Sequence, residues 1–287
     1  MATKITNTDQ QTLTIEPLKK GRLTLRIIGT TPLYFNSMSA KSQRQLLVPE
    51  KKTKADKAAT FKHEPLEEFR NSIYPIASDA TFLGMLGSAV KGSMVTAAMV
   101  TGGINGTDVK RMVIVPNELI SVWGVPFLKM DIVRSADMAK TPDVRTRAFL
   151  PRWCVQVDIE FLKPMFNPQA IVTLLANAGV VAGLGDFRQE KGKGNFGSFE
   201  IVTTPEQELE FDRLVREEGR SVQEAAMKEG KPYDQISRDL FAYSAARMEK
   251  RRQLAEAAVD PVKGLNGAVA KRSKRSVADA IESRHDA

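Results

Sequence analysis

Six glycines at positions 179, 183, 185, 192, 194 and 197 are interleaved with Asp186, Phe187, Arg188, Lys191, Lys193 and Phe196. Glycine lets backbone amides come close to a phosphate chain. Arg188, Lys191 and Lys193 add positive charge beside them, and Phe187 or Phe196 could stack on a base. Gly183, Gly185, Arg188, Lys191 and Lys193 are therefore candidate nucleic-acid contacts. The stretch is not a dinucleotide fingerprint: Gly183-Leu184-Gly185 lacks the third glycine, and a helix precedes it where a strand is required. The same residues also fit a glycine-rich helix-to-strand connection whose phenylalanines enter the core.

A second segment holds Arg134, Arg145, Arg147 and Arg152. Arg145 and Arg147 are two apart, so an extended chain puts both on one face. Planar guanidiniums suit phosphates and bases. Partnership with Asp137, Asp143 or Asp158 is their other use. A third segment, residues 41–62, carries seven basic and two acidic side chains. Its lysines, Lys51, Lys52, Lys54 and Lys57 among them, come without aromatics. That is the pattern of sequence-independent phosphate contact, or of a solvated loop.

Other chemistry is poorly supplied. The only histidines are His63 and His285, and the only cysteine is Cys154. A Ser-His-Asp triad, a two-histidine metal site, a cysteine zinc cage and an internal disulfide are not expected. Gly87, Gly92 and Ser93 are spaced like a phosphate loop, but the lysine before the serine is missing. Asp131 with Asp137, or Asp143 with Asp158, could form a metal pair, though no spacing demands it. The reading is therefore non-enzymatic, with no cofactor and no metal.

The charge points the same way. The chain has 287 residues, 42 Lys+Arg against 34 Asp+Glu, and a formal net charge of +8. Residues 63–204 are balanced, with 14 basic and 14 acidic side chains, so the excess lies in residues 1–40, 41–62 and 263–287. Positive charge gathered in loops and tails is the footprint of a polyanion partner. No apolar run reaches the roughly 18 residues of a membrane span, and the first residues lack the apolar core of a signal peptide. A cytoplasmic protein with no membrane partner is expected.

The elements that would position these residues follow from periodicity. Residues 22–30 alternate as a half-buried strand, and 152–161 do so most clearly, with Trp153, Val155, Val157, Ile159 and Phe161 on one face. A small-residue helix is expected from Ser78 or Asp79 to about Val100. A strand follows over Arg111–Val115, and a helix capped by Asn167 with Pro168 at its first position is stopped by Gly179. The last strand covers 196–202. The order is βαββαβ, which predicts an α+β, ferredoxin-like (RRM-like) palm. Residues 1–20 read as a flexible arm. The palm covers 21–204, with insertions at 31–77 and 117–151, the first a long polar loop over 36–65. A charged helical extension occupies 205–287, with a capping box at Ser221 and Glu224 and a basic linker. Its Leu209, Val215, Leu240, Phe241 and Met248 need burial.

The glycine motif GLGDFRQEKGKGNFGSFE, the small-residue stretch Ile76–Met94 and the segment DVRTRAFLPRW together resemble the repeat-associated mysterious protein (RAMP) superfamily over about residues 20–204. The member type most similar is the backbone subunit of CRISPR RNA-guided surveillance complexes, or a phage- or plasmid-borne relative. The resemblance implies a ferredoxin-like palm with two insertions that polymerises along a guide RNA. It also implies nucleic-acid contact by Gly183, Gly185, Arg188, Lys191 and Lys193 and by Arg145 and Arg147. The expected function is a non-catalytic protein that coats single-stranded nucleic acid, RNA in preference to DNA, as a head-to-tail homo-oligomer, with other ribonucleoprotein subunits as further partners. A phage-type single-strand DNA-binding or recombination protein, a metal-dependent nuclease and a particle structural protein are the alternatives.

Overall fold

The computed structural model describes residues 17–48, 61–134, 140–191 and 194–253. The expected arm up to residue 16, the lysines at 51, 52, 54 and 57, Asp137, Lys193 and the basic linker lie outside the described residues. Helices and antiparallel strands make the chain α+β. It divides into two compact units, one of Met1–Glu50, Phe69–Leu128 and Arg147–Lys231, the other of Lys51–Glu68, Lys129–Thr146 and Pro232–Ala287.

The first unit is built on strand β1 (Lys19–Gly29), which follows the alternation read from the sequence. It pairs antiparallel with β9 (Cys154–Lys163) on one side and β10 (Phe199–Ile201) on the other. Beyond β9 come β6 (Leu119–Trp123), β4 (Leu83–Leu86) and β3 (Tyr74–Pro75), while β5 (Val113–Ile114) also pairs with β9. Trp153, Val155, Val157, Ile159 and Phe161 are all buried, as alternation requires. Helix α5 (Pro168–Val181) packs on β10 and β1, and helix α3 (Gly87–Val100) packs on α5. On the opposite face of β9, Cys154 is buried with Phe211 and Leu214 of α6 (Pro205–Glu217). A second sheet has the order β2 (Leu33–Tyr34), β8 (Pro142–Leu150), β7 (Phe127–Arg134).

Several elements differ from the sequence reading. The helix expected from Ser78 starts at Gly87, because Leu83–Leu86 is taken up as a strand against β6. The glycine turn before Arg111 encloses a helix, α4 (Gly106–Met112), which leaves only Val113–Ile114 extended. Gly179 does not stop α5. It lies inside the helix, where the missing side chain lets the carbonyl of Phe199 come close. The capping box belongs to Thr204 and Gln207, ahead of α6. Ser221 sits inside α7 (Arg220–Glu229), and Glu224 pairs with Arg220 at 2.9 Å. Within the expected polar loop, Ala40–Leu47 forms α1, with the Ser39 hydroxyl accepting from the Ser42 amide; α2 (Pro65–Asn71) follows.

Helix α7 belongs to the first unit. Gln223 is fully buried and accepts from the Phe82 and Leu83 amides while donating to the Val122 and Gly124 carbonyls. The Arg220 guanidinium donates to the carbonyls of Ile76, Ser78 and Thr81. Of the apolar residues expected to need cover, Leu209 stays 73% exposed and Val215 37%, while Phe211 and Leu214 are buried in their place.

In the second unit, residues 235–253 are helical (α8). Asp234 caps this helix by accepting from the Ser237 amide at 2.8 Å and takes an ion pair from Lys129 of β7. The Ser237 hydroxyl in turn accepts from the Met130 amide at 3.0 Å. His63 bridges Glu68 and Asp143, each at 2.9 Å, and Lys62 also reaches Asp143, at 2.6 Å.

Candidate nucleic-acid interface

The glycine loop is closed by its own backbone. Past α5, the Gly183 amide donates to the Ala178 carbonyl and the Leu184 amide to Gly197. The Asp186 amide donates to Tyr34 and the Gly197 amide to Pro32, so the loop is fastened to the segment around β2. Gly183 and Gly185 have φ of +68° and +78°, values that favour glycine. A side chain on Gly185 would meet the Tyr34 carbonyl at 2.5 Å, and one on Gly183 the Gly197 carbonyl at 2.9 Å. The space beside both glycines is therefore filled by the protein's own backbone. The amides of Gly183, Leu184 and Asp186 donate to carbonyls of the protein itself.

Arg147 also departs from its expected role. Its side chain is 3% exposed. The guanidinium lies 4.1 Å from the Phe187 ring and 4.8 Å from that of Tyr34, and donates to Asp186 Oδ2 at 2.6 Å. A guanidinium held against two rings and a carboxylate is a well-compensated buried charge, and at 3% exposure it is not open to phosphate. Its acidic partner is Asp186, not one of the aspartates considered from the sequence. Arg145, two residues earlier on β8, is exposed. It lies in the second unit.

The phenylalanines serve the same cluster. Tyr34 meets Phe149 and Phe196 edge-on, at 4.9 Å each, and Phe187 at 5.6 Å. Phe187 and Phe196 are thus engaged with protein rings. Phe187 has a φ of +53°, a strained value for a bulky residue. Arg188 pairs with Glu190 at 3.1 Å, and its Nε is buried without an acceptor among the described residues. Lys191 ends a short 3-10 turn, Gln189–Lys191, and its side chain, like the whole of Lys193, lies outside the described residues.

Beside the cluster opens a cleft of about 200 Å³, lined by Tyr34, Asn36, Tyr74, Met85, Asp186 and Arg188 among others. Asn36 Nδ2 donates to Asp186 Oδ2 at 3.0 Å. Tyr34 and Asn36 were not picked out from the sequence. The signal was the run Leu33-Tyr34-Phe35-Asn36, an apolar patch at the mouth of an otherwise polar insertion.

The open face of β1 and β9 offers no stacking platform. Lys20 pairs with Glu160 at 3.1 Å and Arg22 with Asp158 at 2.9 Å, and Arg26 lies over the Phe211 ring. The Thr24 hydrogen bond, followed by Arg22, holds the Asp158 carboxyl below its ordinary range against the opposing effect of burial. Burial would raise Asp143, but Lys62 and His63 outweigh it and hold that carboxyl low too. Asp143 and Asp158, one of the two pairs considered as metal ligands, therefore have cationic partners of their own. Burial, with Glu218 and Glu210 adding to it, pushes the Cys154 thiol up to about 12. It stays protonated and is a poor nucleophile. Trp153 is buried, with Nε1 donating to the Thr31 carbonyl at 2.8 Å.

No protein-family model matches the chain, and no curated protein does. Among solved structures the fold is similar to the crystal structure of Cmr6 from Pyrococcus furiosus. The identity is 9%, the match covers 64% of this chain and 99% of that one, and the TM-score is 0.33. A likeness of that degree assigns neither a function nor a site. No helix among the described residues is long and apolar enough to cross a membrane.

Proposed function

We propose that the protein is a non-catalytic single-stranded nucleic-acid-binding protein of RAMP type, RNA-preferring, that coats the strand as a head-to-tail oligomer. The observation that carries the reading is where the positive charge lies. Residues 63–204 are balanced, and Lys129, Arg147, Arg152 and Arg188 among them are ion-paired, whereas residues 41–62 hold seven basic and two acidic side chains. A polyanion is the partner such a distribution favours.

The strand order adds support. Taking β1, α3, β5, β9, α5 and β10 in sequence gives βαββαβ; β1 pairs antiparallel with β10 and β9, and β9 pairs antiparallel with β5 along an edge that it shares with β6. That is the pattern a ferredoxin-like palm needs. In this reading β2 and β3 fall in the first insertion and β6 through β8 in the second, while β4 lies outside both, just ahead of α3. The exposed Arg145 and the lysines of 41–62 supply phosphate contacts. An open chain of heterologous contacts suits a coat of repeated copies.

The test starts from the purified protein. Nucleic acid is extracted and digested with RNase and DNase, and binding of labelled single-stranded RNA and DNA is then titrated across salt. Co-purifying RNA and tighter, salt-sensitive binding of RNA are expected, with sedimentation beyond a monomer on long strands. Preference for DNA would move the assignment to the recombination class. EDTA-sensitive cleavage would make it a nuclease, and absence of all binding would leave a structural role.

A further inference from the structure

We propose that the cleft beside Tyr34 is a pocket for a single guanine base of the bound strand; the proposal rests on the nucleic-acid reading above. The argument begins with charge. Two guanidinium–carboxylate pairs, Arg147 with Asp186 and Arg188 with Glu190, leave the polar groups around the cleft balanced. Neither a phosphate nor a metal ion gains from a balanced site. A neutral ligand with several hydrogen-bonding groups does. The volume of about 200 Å³ lies below the roughly 300–1,000 Å³ of drug-sized pockets and suits one planar ring system. Tyr34, Tyr74 and Met85 supply the apolar and aromatic walls that a base requires.

The polar groups then choose the base. Asn36 directs its NH2 at Asp186, which fixes the amide orientation and leaves its carbonyl oxygen as an acceptor. An ionised carboxylate only accepts. Asn36 and Asp186 lie hydrogen-bonded side by side, so the cleft wall offers two neighbouring acceptors. Guanine is the base whose Watson–Crick edge carries two neighbouring donors, N1–H and the N2 amino group, followed by the O6 acceptor. Arg188, at the same cleft, has donors beyond the one given to Glu190. Adenine and cytosine set an acceptor beside their donor, and uracil has one donor between two acceptors. Each would leave part of the Asn36–Asp186 pair facing an acceptor.

The experiment measures binding of the full chain to oligouridine, to the same strand with one guanosine, and to the same strand with inosine there. One guanosine is expected to tighten binding about tenfold or more. Inosine lacks the N2 donors and should forfeit most of that gain. Two variants leave Arg147 and Asp186 untouched: Ala89→Phe, which fills the cleft from α3, and Asn36→Ala, which removes one acceptor. Both should melt like the parent, bind oligouridine like the parent, and lose the guanosine gain. A strand that binds equally with uridine, inosine or guanosine would overturn the pocket and leave the nucleic-acid reading standing. Failure of every strand to bind would overturn that reading itself.

Discussion

Arg145 and Arg147 show what a residue type can and cannot announce. Spacing puts them on one face of a strand, yet one is exposed and the other is 3% exposed between Tyr34, Phe187 and Asp186. Arg147→Ala should strand Asp186 and Asn36 and open the ring cluster. A loss of about 3 kcal/mol is expected in urea unfolding, the lower end for breaking a buried pair because Asp186 is part-exposed. Arg147→Lys should recover little of it, since a compact ammonium cannot meet two rings and a carboxylate at once as the guanidinium does. Gly185→Val should melt early too. A β-branched side chain at φ +78° is strained, and its Cβ meets the Tyr34 carbonyl. A normal melting curve for Gly185→Val would show that the fold does not depend on this close approach. The need for glycine was legible in the sequence. Its cause was not, because the partner atoms lie about 150 positions away in the chain and no local pattern points to them.

Elements were legible where one period governs them. Strand β9 alternates from Val155 to Phe161, and α5 carries its own start signal in Asn167 and Pro168. The short pieces were not. Leu83–Leu86 is apolar enough for either helix or strand, and only its pairing with Leu119–Ser121 decides. Helix α7 is amphipathic on its own terms, but its attachment depends on Gln223, whose amide closes bonds to four backbone groups of distant segments. Gln223→Leu should orphan those groups and cost about 3 kcal/mol. A chain cut at 204 should therefore fail to fold well, whereas one cut after 231 keeps that contact. Helix α8 gives the pH test. Burial alone would raise Asp234, but Lys129 and Ser237 together hold its carboxyl down at about 2. A carboxyl depressed on folding stabilises fully above its unfolded value, near 3.9, and loses that contribution as pH falls through its folded value. The amount is about 2 kcal/mol. Asp234→Asn should flatten the acid limb of stability between roughly pH 5 and 2 while keeping the helix cap. Asp234→Ala should lose a further kcal/mol or so with the cap. Identical acid limbs in parent and Asp234→Asn would remove the ion pair from the account.

At the scale of the whole molecule, charge separates two kinds of surface. The sheet face spends its cations on Glu160, Asp158 and Asp212, so it adds little to a long-range field. The net +8 arises instead from residues 1–62 and from the C-terminal basic run. Binding built on such charge is set by the counterions it releases, with a logarithmic salt slope near 0.7 for each phosphate neutralised on a single strand. Replacing Lys51, Lys52, Lys54 and Lys57 together with alanine should reduce the slope by up to roughly 3 and weaken all sequences alike. Because these lysines carry no base recognition, any guanosine preference of the Tyr34 cleft should survive the change as the same ratio of affinities. Strand titrations of parent and variant at several salt concentrations check both statements at once. An unchanged slope would show that this lysine segment is only solvated. A slope that falls together with the guanosine ratio would show that the two surfaces grip the strand as one.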